Sequence, residues 1–186
     1  THIIERLSHT KRKLICIDRF RSVTPQLPAG CSFIHASEED LFYKEVLRGV
    51  DEIVDLAYSS VPKTSFDDPI GDIFQNLPRF VNLCRAAITN GINKMILFSS
   101  GGTIYGQTLS LPIREDHPTN PISPYGITKL AVEKYAQMYH MTEKLPVICL
   151  RPGNAYGEGQ LPFRGQGFVA TAIASILSGL PIDVFG

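Results

Sequence analysis

The chain has 186 residues, 44% of them hydrophobic, and its 18 basic and 18 acidic side chains leave no formal net charge. A chain of this size can bury a core, and balanced charge gives no electrostatic footprint for a nucleic-acid polymer. No apolar run approaches the ~20 residues of a membrane helix, and the N-terminus carries no signal-peptide hydrophobic region, so the expectation is a cytoplasmic protein with no membrane partner.

In chain order, residues 1–9 place Ile3, Ile4 and Leu7 on one helical face, without a start signal. Residues 13–18 read as a strand ending on Asp18, and residues 32–36 as a second strand, on which His35 is a strand-face residue. A helix is expected over 39–49, closed by Gly49, and a strand over 52–58. Residues 67–90 form a long helical pattern with Ile73, Leu77, Phe80, Val81, Cys84 and Ile88 apolar, kinked by Pro78 and ended by Gly91. Cys16, Cys31, Cys84 and Cys149 are dispersed without a CxxC or His/Cys pairing, which predicts buried reduced thiols and no metal site.

The stretch 94–129 organises the rest. Met95, Ile96, Leu97 and Phe98 form a short apolar strand that runs into Ser99, Ser100, Gly101 and Gly102. After a proline-rich connection, Ser123 before Pro124 is an N-cap followed by an N1 proline, which puts Tyr125 in the first helical turn and Lys129 on the same face. A tyrosine hydroxyl has a pKa of about 10, and an ammonium beside it stabilises the phenolate. Such a pair can take a hydroxyl proton while a hydride leaves the same carbon. A bare YxxxK also arises by chance on many helices; the strand, the SSGG loop and the SPYGITK helix together are the stronger signal.

Further on, residues 147–151 are a buried strand that opens into Pro152, Gly153, Asn154, Ala155, Tyr156 and Gly157. A helix is expected over 168–179 and the start of a strand over 181–186. Alternating strands and helices predict a doubly wound, mostly parallel α/β sheet with ligands at the carboxyl ends of its strands. The candidate residues fall there: Asp18, Ala57, Ser99, Thr103 and Asn154 follow strands, and Tyr125 and Lys129 come from a helix start.

Over essentially its whole length, the chain resembles the extended short-chain dehydrogenase/reductases, and among them the NAD-dependent sugar epimerase/dehydratase group. The resemblance implies a Rossmann-like NAD-binding domain over 1–151 and the beginning of a small substrate-binding lobe over 152–186. Asp18 then binds the adenosine ribose, which favours NAD, although Arg19 and Arg21 are near enough to accept a 2′-phosphate. The glycine-rich pyrophosphate loop is expected upstream of Thr1. The sequence is therefore expected to begin inside the fold, and a protein limited to residues 1–186 to bind NAD poorly and to lack activity. Ser37 stands where relatives usually carry an Asp that reaches the adenine, and Leu56, Ala57, Tyr58, Ser99 and Ser100 lie against the cofactor. Asn76 matches an Asn near the active-site strand, and its alternative reading is a helix residue bonding kinked backbone. In the RPxNxYG-like loop, Pro152 borders the nicotinamide and Asn154 contacts the nucleotide-sugar phosphates.

The loop after the central strand separates subgroups. Dehydratases carry an Asp-Glu pair where this chain has Gly102 and Thr103, so SSGGTIYG is nearer the SSSATVYG of sugar 4-epimerases. The usual catalytic Ser falls at Gly101, which leaves its hydrogen bond to Thr103 or to Ser100. The mechanism implied is C4 epimerisation of a UDP-sugar through a transient 4-keto intermediate, with Tyr125 moving the proton and Lys129 lowering its pKa. A nucleotide-sugar dehydratase, oxidoreductase or reductase on the same fold is one alternative, and a non-catalytic NAD-sensing protein another. A homodimer is expected, with Val132, Tyr135, Ala136 and Tyr139 on one surface and Phe74, Phe80 and Val81 on the other.

Overall fold

The computed structural model describes residues 2–18, 27–35, 43–108 and 110–182. The chain divides into two compact units, Thr1–Arg48 and Gly49–Gly186.

In the first unit, helix α1 (His2–Ser8) leads to strand β1 (Leu14–Asp18), then strand β2 (Cys31–His35) and the short helix α2 (Tyr43–Val46). Ile3, Ile4 and Leu7 are half-buried while His2, Glu5 and Arg6 are exposed, as the helical face in the sequence predicts. The two strands pair in parallel, from Leu14 opposite Cys31 to Asp18 opposite His35. Gly49 follows α2 in the left-handed region at φ 75°, where glycine is unstrained. The first part of the helix expected over 39–49 lies outside the described residues, as do Arg19, Arg21, Ser37 and residues 183–186 of the strand expected over 181–186, whose first two residues, Pro181 and Ile182, are in no strand.

The second unit runs β3 (Glu52–Asp55), α3 (Pro62–Asp67), α4 (Pro69–Thr89), β4 (Lys94–Phe98), α5 (Pro124–Glu143), β5 (Val147–Leu150) and α6 (Phe168–Leu177). Its three strands are parallel in the order β3, β4, β5, with Val54, Ile96 and Ile148 in one row and Asp55, Leu97 and Cys149 in the next. Met95 and Leu97 are buried with Phe80 and Cys84 of α4 and Val132 and Ala136 of α5, while Val54, Ile148 and Leu150 stay partly exposed. No helix among the described residues is long and apolar enough to cross a membrane.

Local chemistry accounts for the helix ends. Asp68 caps α4 by accepting the Gly71 N–H, with Pro69 at the first helical position. Ser123 caps α5 in the same way through the Gly126 N–H. Pro78 lies inside α4 on its exposed side, where its ring leaves the Phe74 carbonyl without a helical donor.

Four expectations change. Strand β3 stops at Asp55 instead of reaching Tyr58, because side chains of α4 take hold of the backbone that follows. Helix α3 has no counterpart among the expected elements; its signal is Pro62 at the first helical position, with the Thr64 hydroxyl accepting the Val61 N–H. Ile73 is 47% exposed while Asp72, Asn76 and Arg79 are buried, since the first half of α4 faces a polar loop and only its second half joins the apolar core. Of the proposed dimer surfaces, Phe80, Val132 and Ala136 are core residues of this chain, leaving Phe74 and Tyr135 exposed.

Candidate active site

The start of α5 brings Tyr125 and Lys129 together, and both are buried. The Tyr125 N–H donates to the Ser65 hydroxyl of α3 at 3.1 Å, and that hydroxyl donates onward to the Pro62 carbonyl at 2.8 Å. The Lys129 ammonium donates to the Phe98 carbonyl at the end of β4 at 2.8 Å. It also lies 3.9 Å from the centre of the Tyr58 ring and 5.7 Å from that of Tyr125. The two tyrosine rings meet edge to face at 4.9 Å.

The electrostatics run against one expectation. Burial, followed by the Asp72 charge, pushes the Tyr125 pKa up to about 12, opposite to the lowering expected from Lys129. Burial pulls the Lys129 pKa down to about 8; Asp55, Asp72 and Glu133 oppose that shift and Arg79 adds to it. The Tyr58 pKa is raised by burial, then by Asp72 and Tyr125.

The loops after β4 and β5 continue side by side. Ser99 N–H donates to the Leu150 carbonyl and Gly101 N–H to the Pro152 carbonyl, each at 2.8 Å. A Cβ on Gly101 would stand 2.7 Å from the Arg151 carbonyl oxygen, a contact that glycine alone avoids. A Cβ on Gly126 would stand 2.8 Å from the Thr103 carbonyl oxygen, so this glycine lets the first turn of α5 approach the SSGG loop. The hydroxyls of Ser99 and Thr103 are buried and have no hydrogen-bond partner among the described residues. Asn154 and Pro152 are exposed, and the Asn154 carboxamide oxygen comes within 4.0 Å of where a Gly102 Cβ would sit. Ser100 is half-buried, and its carbonyl accepts the Ile104 N–H at 3.3 Å.

Leu56 and Ala57 are exposed at the start of the loop after β3. Asn76, fully buried, accepts the N–H and the hydroxyl of Ser59, both at 3.0 Å, and donates to the Asp72 carbonyl at 2.8 Å. It therefore braces this loop against its own helix. The carbonyl it bonds belongs to Asp72 and not to Phe74, the one that Pro78 leaves short of a donor. Ser60 donates its hydroxyl to the Asp72 carboxylate.

Asp18 ends β1 on the exposed side, opposite His35. Other residues that matter escape sequence reasoning. Arg79 makes a buried two-pronged ion pair with Asp55 at 3.0 and 2.9 Å and donates to the Ala57 carbonyl at 2.9 Å. Arg151 bonds Glu133 at 2.7 Å, and the Tyr105 hydroxyl and Glu115 carbonyl at 2.9 Å, which ties the connection after the SSGG loop to α5. An acid at a strand end and an arginine inside an amphipathic helix are weak signals until the fold brings them together.

The model of the NAD dependent epimerase/dehydratase family matches residues 1–186. The chain belongs to this family. The UDP-glucose 4-epimerase of Mycolicibacterium smegmatis is 38% identical over 134 residues, 72% of this chain and 43% of that one. The solved UDP-glucose 4-epimerase of Thermotoga maritima, with UDP-glucose, superposes with a TM-score of 0.89 at 28% identity, over 100% of this chain and 62% of that chain. That of Thermus thermophilus, with NAD, superposes with a TM-score of 0.85 at 30% identity, over 97% of this chain and 60% of that chain. The fold is thus the Rossmann-like α/β fold of these epimerases, and the chain spans about three-fifths of the solved relatives' length.

Proposed function

We propose that the full-length protein is an NAD-dependent nucleotide-sugar epimerase that inverts C4 of a UDP-sugar through a transient 4-keto intermediate. The observation that carries this reading is the buried Tyr125 and Lys129 pair, set beside the unpartnered Ser99 and Thr103 hydroxyls at the carboxyl end of β4. Buried hydroxyls without protein partners suit a polar ligand, since leaving them unsatisfied costs about 1–3 kcal/mol each. Asp18, Ser37, Leu56, Ala57, Tyr58, Ser99, Ser100, Tyr125, Lys129 and Pro152 would hold NAD, with Asn76 bracing the loop at Tyr58.

NAD, when bound, supplies a hydride acceptor and donor at C4. As the phenolate, its own proton having first gone to solvent, Tyr125 takes the C4 hydroxyl proton and later returns it. With Tyr125 held up at about 12, the phenolate is the minor form at neutral pH, and positive charge nearby favours it. Lys129, at about 8, still carries most of its charge there. Thr103 donates a hydrogen bond to the sugar hydroxyl in place of the serine for which Gly101 leaves no room. Asn154 holds the nucleotide-sugar phosphates, and residues 152–186 begin the substrate lobe.

The SSGG loop lacks the Asp-Glu pair that water elimination needs, which favours epimerisation over dehydration. Incubating full-length protein with UDP-galactose and following the product by NMR tests this. Conversion to UDP-glucose without net NADH supports it, and stoichiometric NADH release indicates an oxidoreductase. We further propose a homodimer through the exposed apolar stripes of α4 (Ile70, Ile73, Phe74) and α5 (Ile127, Tyr135, Met138).

A further inference from the structure

Lys129 is buried, yet none of the three carboxylates that act on it forms an ion pair with it. Asp55 is taken up by both prongs of Arg79 and Glu133 by Arg151, while Asp72 accepts from Ser60 and Asn76 on Oδ1 and keeps Oδ2 buried without a hydrogen-bond partner among the described residues. One ammonium proton goes to the Phe98 carbonyl. The aromatic face nearest the ammonium is that of the Tyr58 ring, 3.9 Å from the nitrogen, with the Tyr125 ring at 5.7 Å.

That ring is held on both sides. The Ala57 carbonyl before it accepts from Arg79, and Ser59 and Ser60 after it bond Asn76 and Asp72. Arg79 and Asn76 therefore fix the backbone on either side of a single aromatic residue, and Asp72 holds the Ser60 side chain after it. The same ring packs edge to face on Tyr125 at 4.9 Å, so it touches both members of the pair at once.

We propose that Tyr58 is a positioning residue, whose ring seats the Lys129 ammonium by a cation–π contact and sets its distance from Tyr125. The proposal rests on the reading of Tyr125 and Lys129 as the proton-transfer pair. Burial that destabilises the charged lysine makes the seat more consequential, because a cation–π contact strengthens when water is excluded. The charged groups facing Lys129 are Asp55 from β3, Asp72 and Arg79 from α4, and Glu133 from its own helix, with the Tyr58 and Tyr125 phenols beside it. All of these except the Tyr58 phenol remain in place when Tyr58 is replaced, and the phenol is absent from every member of the phenylalanine series.

The test replaces Tyr58 in the full-length protein by phenylalanine and by mono-, di- and trifluorophenylalanine, which weaken the ring face stepwise at nearly constant shape. The Lys129 pKa is read by NMR of carbon-labelled lysine, with the signal assigned by its loss in Lys129→Arg. The expected result is a pKa that falls along the series by about one unit in total, a tenfold change in proton affinity. The pH at which turnover declines should fall with it. Tyr58→Leu, similar in bulk without a π face, should lower the pKa as far as the most fluorinated ring. A Lys129 pKa unmoved by fluorination, or one that rises toward the ordinary lysine value in Tyr58→Leu, overturns the proposal. The NMR reading needs no turnover, so a protein inactive on every UDP-sugar with a fluorination-sensitive Lys129 would refute the epimerase reading and leave the seat standing.

Discussion

Gly101 and Arg151 approach so closely that a Cβ on the glycine would stand 2.7 Å from the arginine carbonyl oxygen, while the Gly101 N–H bonds the next carbonyl, of Pro152, at 2.8 Å. A serine at this position cannot be added without moving backbone. Gly101→Ser should therefore destabilise the protein by about 1–3 kcal/mol, the usual cost of overpacking, and should not restore turnover to Thr103→Ala. Thr103→Ala should lower kcat about 10²-fold, and Thr103→Ser should recover most of it. Denaturant melts and steady-state kinetics of the four variants check this. Rescue of Thr103→Ala by Gly101→Ser would assign the hydroxyl's role to the wrong residue.

Lys129 predicts a stability that depends on pH. Its pKa falls from 10.5 to about 8 on burial, so the folded state holds the proton less tightly than the unfolded one. The penalty of the buried charge is fully present below pH 8 and fades as pH rises toward 10.5. Lys129→Met removes it, and should raise stability at neutral pH by up to about 3 kcal/mol, from 1.36 kcal/mol per unit, while abolishing turnover. Unfolding curves across that pH range should show the gain vanish near its upper end. A gain independent of pH would mean that the methionine simply packs better.

The Asp55–Arg79 pair has the opposite character. Both partners are buried and joined by two bonds, so removing one strands the other's charge. Arg79→Met should cost about 3–5 kcal/mol and loosen the loop at Ala57, whereas replacing both partners by apolar residues should cost much less. Chemical denaturation of the single and double variants measures the difference. Equal losses in both would show that the Ala57 contact, and not the stranded carboxylate, dominates.

For the assembly, light scattering of the full-length protein should give a dimer mass at micromolar concentration. Phe74→Glu together with Tyr135→Lys should shift it to monomer with the fold intact by circular dichroism, because both side chains are exposed on the single chain. A monomeric unaltered protein would refute the stripes as an interface.

Much of this site is written in local sequence. Ser123 and Pro124 mark the start of α5, and the i, i+4 spacing then places Tyr125 and Lys129 on one buried face. The short apolar run at Met95 and the glycines after it mark β4 and its loop for the same reason. What local sequence hides depends on pairs distant along the chain. Ser65 reaches Tyr125 across 60 positions, and Arg79 reaches Asp55 across 24, and no period or cap signals either. Ile73 and Asp72 exchange the roles that hydrophobicity assigns them, since the first half of α4 packs on a loop whose Ser60 hydroxyl is held by Asp72 and whose backbone is held by Asn76 and Arg79.

The central claim is that Tyr125 moves the proton at a site whose cofactor contacts are otherwise intact without its hydroxyl. Its most direct test compares NAD affinity and UDP-galactose turnover of Tyr125→Phe with those of the unaltered full-length protein. The account predicts an NAD dissociation constant changed by no more than about threefold and turnover reduced by about 10³-fold or more. A Tyr125→Phe protein that still interconverts UDP-galactose and UDP-glucose at a comparable rate would contradict it.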